Sequence, residues 1–182
     1  AGGSFEVYPD WDDVTKYGGY FRIISRSEFF DEPRPVLPNA SKGPDNDSFA
    51  QRAKISGQLP LILNGNNIGA TREADEQGFS QIGEPSLNSV WWSWTSTVNG
   101  VVAVSTSGSD FDTMIGVYIG NSINALIPMV ENDDDDSNPE LLTSFASFEA
   151  LAGETYQIRV AGFPDESAEA GFIVLSVDEF IP

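Results

Sequence analysis

Three of the chain's four tryptophans stand within seven residues, Ser89-Val90-Trp91-Trp92-Ser93-Trp94-Thr95. At a period of two, Val90, Trp92 and Trp94 share one face and Trp91 points to the other. A ring this large brings about 150–250 Å² of surface that must be covered. The run therefore demands a sheet with a substantial layer packed on it. Val101-Val102-Ala103-Val104-Ser105-Thr106 follows, with Asn99-Gly100 before it as a hairpin signal. Asp112 to Ile119 is apolar and β-branched, and Gly120-Asn121 breaks it. Leu126 to Val130 is short, and Leu142 to Leu151 alternates imperfectly around Phe145 and Phe148. Ala152-Gly153 makes a turn, Thr155 to Ala161 alternates cleanly, and Gly171 to Val177 closes the series. Short strands at regular spacing predict an all-β, jelly-roll-like antiparallel β-sandwich. The best helix signal is two turns at most, over Asp47 to Ala53, with Asp47 or Ser48 as N-cap, and Asp165 to Ala170 reads as another helical turn or a loop.

The first forty-four residues read differently. They hold Trp11, Tyr17, Tyr20, Phe21, Phe29 and Phe30, and prolines at 9, 33, 35, 38 and 44. The Pro33-to-Pro44 stretch reads as an extended linker, because proline fixes φ and restrains the residue before it. The chain thus divides into an N-terminal arm, 1–44, and a β-sandwich domain, 45–182. The arm has one strand candidate, Tyr20 to Arg26. It completes the sandwich of its own chain or pairs with the sheet edge of a neighbour by β-strand addition.

Chemistry is bounded by what the chain lacks. It has no His and no Cys among its 182 residues. Ser-His-Asp and Cys-His nucleophile systems are excluded, and so are His/Cys zinc sites. The 9 basic and 28 acidic residues give a formal net charge of −19. Such a surface repels phosphate backbones and anionic lipid, so no nucleic acid and no membrane insertion are expected. It attracts divalent cations instead. Calcium takes six to eight oxygen ligands, which Asn132, Asp133, Asp134 and Asp135 offer in one dense run after Glu131. The other reading of this run is a solvated acidic hairpin loop. Asp45 and Asp47, with Asn46 between them, form a second candidate where the linker meets the body. Aromatic rings are the remaining candidates for a ligand. Trp92 and Trp94 belong to the core, which leaves Trp91 and the arm's Trp11 as exposed platforms for a partner.

Six of these segments resemble the bacterial pre-peptidase C-terminal domain family. They are Pro44-Asp45-Asn46-Asp47-Ser48-Phe49-Ala50, Leu63 to Ala74, Ser89 to Thr95, Ser109 to Tyr118, Glu131 to Asp134, and Ala152 to Val160, in the family's order. The resemblance spans roughly residues 45–178. It implies a jelly-roll-like sandwich, export to the bacterial cell surface or medium, frequent calcium binding, and attachment to larger extracellular proteins. By the same analogy Glu73 joins the metal candidates. The expected function is a non-catalytic, calcium-stabilised binding or adhesion module for an extracellular glycan or protein. The alternatives are a structural subunit joined by its arm and, further off, a glycan-cleaving enzyme. The arm has no counterpart in the family pattern.

Overall fold

A computed structural model describes residues 43–85, 87–135, 142–164 and 169–180. The strand candidate Tyr20 to Arg26, Trp11 and most of the proline-rich linker lie outside them. The described residues form nine strands: β1 Ala53–Ile55, β2 Leu61–Asn66, β3 Leu87–Thr95, β4 Gly100–Ser105, β5 Thr113–Ile119, β6 Ile127–Asn132, β7 Phe145–Ala150, β8 Thr155–Gly162 and β9 Phe172–Glu179. They make a five-stranded sheet in the order β1-β3-β8-β5-β6 and a four-stranded sheet in the order β2-β9-β4-β7. The expected β-sandwich is what the chain builds. One pairing departs from the antiparallel expectation, because β1 runs parallel to β3.

Alternation explains the core. Val90, Trp92 and Trp94 of β3, Ile158 and Val160 of β8, and Val117 of β5 all meet between the sheets. They face Val102, Val104, Leu175 and Val177 from the opposite sheet. At about 25 cal/mol per Å² each buried indole contributes roughly 4–6 kcal/mol against the cost of chain entropy.

Several local expectations need correction. Asn99-Gly100 does turn the chain, with Gly100 at φ +145°, but β3 and β4 belong to different sheets. The turn is a step between layers rather than a hairpin, and β4 pairs with β7 and β9. The acidic segment after β6 likewise steps between sheets, from β6 to β7. Only β5 and β6 form a true hairpin between consecutive strands among the described residues. The two-turn helix over Asp47 to Ala53 shrinks to a 3₁₀ turn, Phe49–Gln51, with no side-chain cap bond at Ser48. Asp47 does not cap it, for its carboxylate is used elsewhere. Ala53, read as the end of that helix, instead opens β1, because Ala53 and Ile55 pack into the core at period two.

Candidate functional site

Arg159 lies in the middle of β8 between Ile158 and Val160, both of which face the core. It must therefore point out of the sandwich. A sequence reading would place it in solvent, yet it is only 2% exposed. The reason is the segment 67–85, which runs on from β2 toward β3 and crosses over the outer face of the five-stranded sheet. Connections of this length without regular structure are uncommon and need a particular anchor. Here the anchor is a charge.

One rung of the sheet sets the geometry. Trp91 and Gly116 flank Arg159 on either side, and Glu131 follows Gly116 on β6. The Arg159 guanidinium lies 3.4 Å from Glu76 Oε1 and 3.5 Å from Glu131 Oε1. Its Nη1 donates to the Gln77 carbonyl at 2.7 Å. Its Nη2 donates to the Tyr118 hydroxyl, which in turn donates to Glu131 Oε1 at 2.5 Å. The guanidinium also stacks 3.7 Å from the centre of the Phe79 ring. A buried charge is tolerated when it is paired and hydrogen-bonded, and these contacts pair the charge and engage both Nη1 and Nη2.

Glycine makes room for the arrangement. Tyr118 leans back along β5 over Gly116, where an added Cβ would come within 2.7 Å of the ring. Burial pushes the Tyr118 phenol far above its ordinary value of 10.0; Arg159 opposes that rise and Glu131 adds to it. The carboxylates hold the crossing segment down as well. Glu131 accepts from the Gln81 backbone at 2.6 Å, and Glu76 accepts from the Ser89 hydroxyl at 2.8 Å.

The arriving chain is clasped to the same segment. Asn46 exchanges two hydrogen bonds with the backbone of Trp91, at 2.9 and 3.1 Å. Asp47 Oδ1 accepts from the Thr71 backbone at 2.7 Å, and Glu73 Oε2 accepts from the Phe49 backbone at 2.6 Å. Gly43 passes so close to Gly69 that a Cβ would meet its carbonyl oxygen at 2.6 Å. Of the residues expected to hold a metal, Asp47 and Glu73 thus fall into one clasp with direct bonds to backbone N–H groups.

The other candidates are spread out. Asn132 ends β6, and its amide donates to the carbonyls of Asp134 and Phe145, both at 2.8 Å. Glu131, read as part of an acidic loop, is instead a buried strand residue bound to Tyr118 and Gln81. Asp133, Asp134 and Asp135 follow in the turn, and Asp45 stands at the head of the clasp. Among the described residues no three acidic side chains gather where they could hold a metal ion.

Trp91 is the clearest correction. It points away from the core as expected but is fully buried. The Phe49 ring meets it edge-on at 5.1 Å, and Tyr118, Ile123 and Leu126 complete a second, smaller core. It is no platform for a ligand, since every face is already covered.

The same face continues toward β1, where Ser93 and Gln157 are buried and Lys54 is exposed. The next rung runs Lys54, Ser93, Gln157, Tyr118. Beyond it a groove of about 600 Å³ lies along β1 and the end of β3, lined by Arg52, Lys54, Ser56, Ser93, Thr95 and Thr155 among others. The hydroxyls of Thr95 and Thr155 bond each other across it at 2.8 Å. Among the described residues no acidic side chain and no aromatic ring lines the groove.

No family model matches the chain, and no curated protein matches it. Among solved structures it is similar to the pre-peptidase C-terminal domain of collagenase from Bacillus anthracis. The identity is 12%, the TM-score 0.42, and the match covers 70% of this chain and 94% of that one.

Two measurements probe the buried cluster. Arg159→Met keeps the side chain's length but leaves Glu76 and Glu131 buried without their cation. Chemical unfolding should show a loss of about 3–5 kcal/mol at neutral pH. The second follows from the raised phenol. In the folded state Tyr118 keeps its proton above pH 10, where the unfolded chain releases it, so the native state binds more protons there. Stability should fall by about 1.4 kcal/mol per pH unit above that point. Tyr118→Phe should show a shallower alkaline limb than wild type in unfolding titrations.

Proposed function

We propose that this chain is a non-catalytic extracellular binding module that seats a glycan in the groove beside β1. One observation carries the reading. In a chain with 28 acidic residues and a net charge of −19, the described residues that line this groove include no acid and bring hydroxyls and two cations. Arg52 and Lys54 are two of only four cationic side chains in the described residues, and Arg159 is committed to the buried cluster. Serine and threonine hydroxyls both donate and accept, as sugar hydroxyls do, and lysine and arginine add donors. Among the described residues no aromatic ring lines the groove, and Ile55 is its one large apolar side chain. The net charge disfavours densely anionic chains, which leaves neutral or sparsely carboxylated polysaccharides.

Binding without catalysis fits the side chains at hand. His and Cys are missing, and the two carboxylates that lie together, Glu76 and Glu131, are buried against Arg159. Affinity electrophoresis against a panel of soluble polysaccharides tests the reading. At least one should retard the wild-type protein without releasing new reducing ends. Lys54→Ala combined with Thr155→Val should weaken that retardation about tenfold or more, the loss of roughly 1.4 kcal/mol expected for a few polar contacts. Retardation by none of the panel, or retention of extended peptides instead, would reject the glycan reading.

Calcium enters the proposal as a stabiliser at the turn after β6, where Asp133, Asp134 and Asp135 stand in sequence. With no ready cluster of three acids, an ion there has to recruit backbone and amide oxygens. Binding of that kind must raise stability, by about 2.7 kcal/mol when free calcium is a hundred times Kd. A thermal melt in chelator and in millimolar calcium should show the rise. Coincident midpoints would remove calcium from the proposal and leave the groove untouched.

A further inference from the structure

Beneath the crossing segment, between residues 76–80 and the turn at 123–128, lies a cavity of about 20 Å³. Its walls include Glu76, Gly78, Trp91, Ile123, Leu126 and Arg159. Two buried donors on these walls have no hydrogen-bond partner, Trp91 Nε1 and Arg159 Nε. The two residues are register partners on β3 and β8, so both belong to the same rung of the sheet. Buried polar groups in folded proteins nearly always have partners, and two orphans on neighbouring residues that line one cavity call for a common explanation.

We propose that this cavity binds a single ordered water molecule that accepts from Trp91 Nε1 and Arg159 Nε and donates to acceptors of the crossing segment. Size and chemistry select the ligand. A site needs about 10–15 Å³ and two to four polar partners to hold a water, and this one has room for no larger molecule. Both orphans are N–H donors, which turn a metal cation away. The carboxylates of Glu76 and Glu131, which share the lining, turn an anion away. Water alone answers two donors with oxygen lone pairs and then offers two hydrogens back. The bound water becomes a further tether between the sheet and the segment laid over it, beside the direct bonds of Glu76, Gln77 and Glu131.

A high-resolution crystal structure of the full chain should show one density peak within hydrogen-bond distance of both nitrogens. In solution, the indole N–H of Trp91 should give a cross-relaxation peak to water with the sign of a long-lived hydration site. Trp91→Phe, which keeps an aromatic ring in the second core and removes one donor, assigns that resonance and should lose the bound peak. An empty cavity, a peak ligated by carboxylates alone, or a water that persists unchanged in Trp91→Phe would overturn the proposal. Should Trp91→Phe fail to fold, the wild-type cross-peak decides, since its absence overturns the proposal by itself.

Discussion

A guanidinium on the outward face of a central strand leaves a protein two options. It can lie in water, or it can be covered and neutralised. Arg159 is covered, and much of the surrounding structure follows from the terms of that burial. Two carboxylates must reach it, which fixes Glu76 on the crossing segment and Glu131 on β6. The segment 67–85 must then lie flat on the sheet although it has almost no regular hydrogen bonding of its own. Tyr118 must bend over β5 to bridge Arg159 and Glu131, which requires a residue without a side chain at position 116. The aromatic neighbours Phe79, Trp91 and Tyr118 enclose the charge and supply the apolar area that its desolvation consumes.

That cover divides one sheet face into halves with different properties. The covered half is a second core, rigid and closed, reinforced by the clasp of Asn46, Asp47 and Glu73. Beside it, Lys54, Ser56 and Thr95 face solvent along the groove. The same division separates the charges. Acidic groups near Arg159 are spent on structure, while none of the described residues lining the groove beyond the Lys54–Ser93–Gln157 rung is acidic. In a molecule this acidic, a patch without carboxylates is where an uncharged, hydroxylated partner meets the least desolvation cost.

Much of the fold was legible along the chain. The strands from β3 to β9 stand close to where period-two patterning puts them, and Val90, Trp92 and Trp94 occupy the core as their alternation requires. The site was far less legible. Trp91 looked like an exposed platform because its face was right and its cover was invisible: Phe49 arrives from 42 residues upstream and Tyr118 from 27 downstream. Glu131 looked like one more loop acid until β6 extended to include it. Arg159 carried one faint signal, a lone charge amid the apolar alternation of a central strand.

Alternation, turn residues and absences were determined by the sequence alone, because each depends on neighbours a few bonds away. Period two places a side chain above or below its own strand, glycine permits a reversal at positive φ, and a chain without His or Cys cannot perform their chemistry. Tertiary structure decided which sheet each strand joined, and it turned Asn99-Gly100 from a hairpin into a step between layers. It also decided what lay on the outer face of the five-stranded sheet. Those outcomes depend on free energies shared between distant segments. Local backbone geometry is the same whether a turn returns to its own sheet or crosses to the other. An outward-facing Arg159 is equally allowed in water or under a loop, until Glu76 and Glu131 arrive to pair with it.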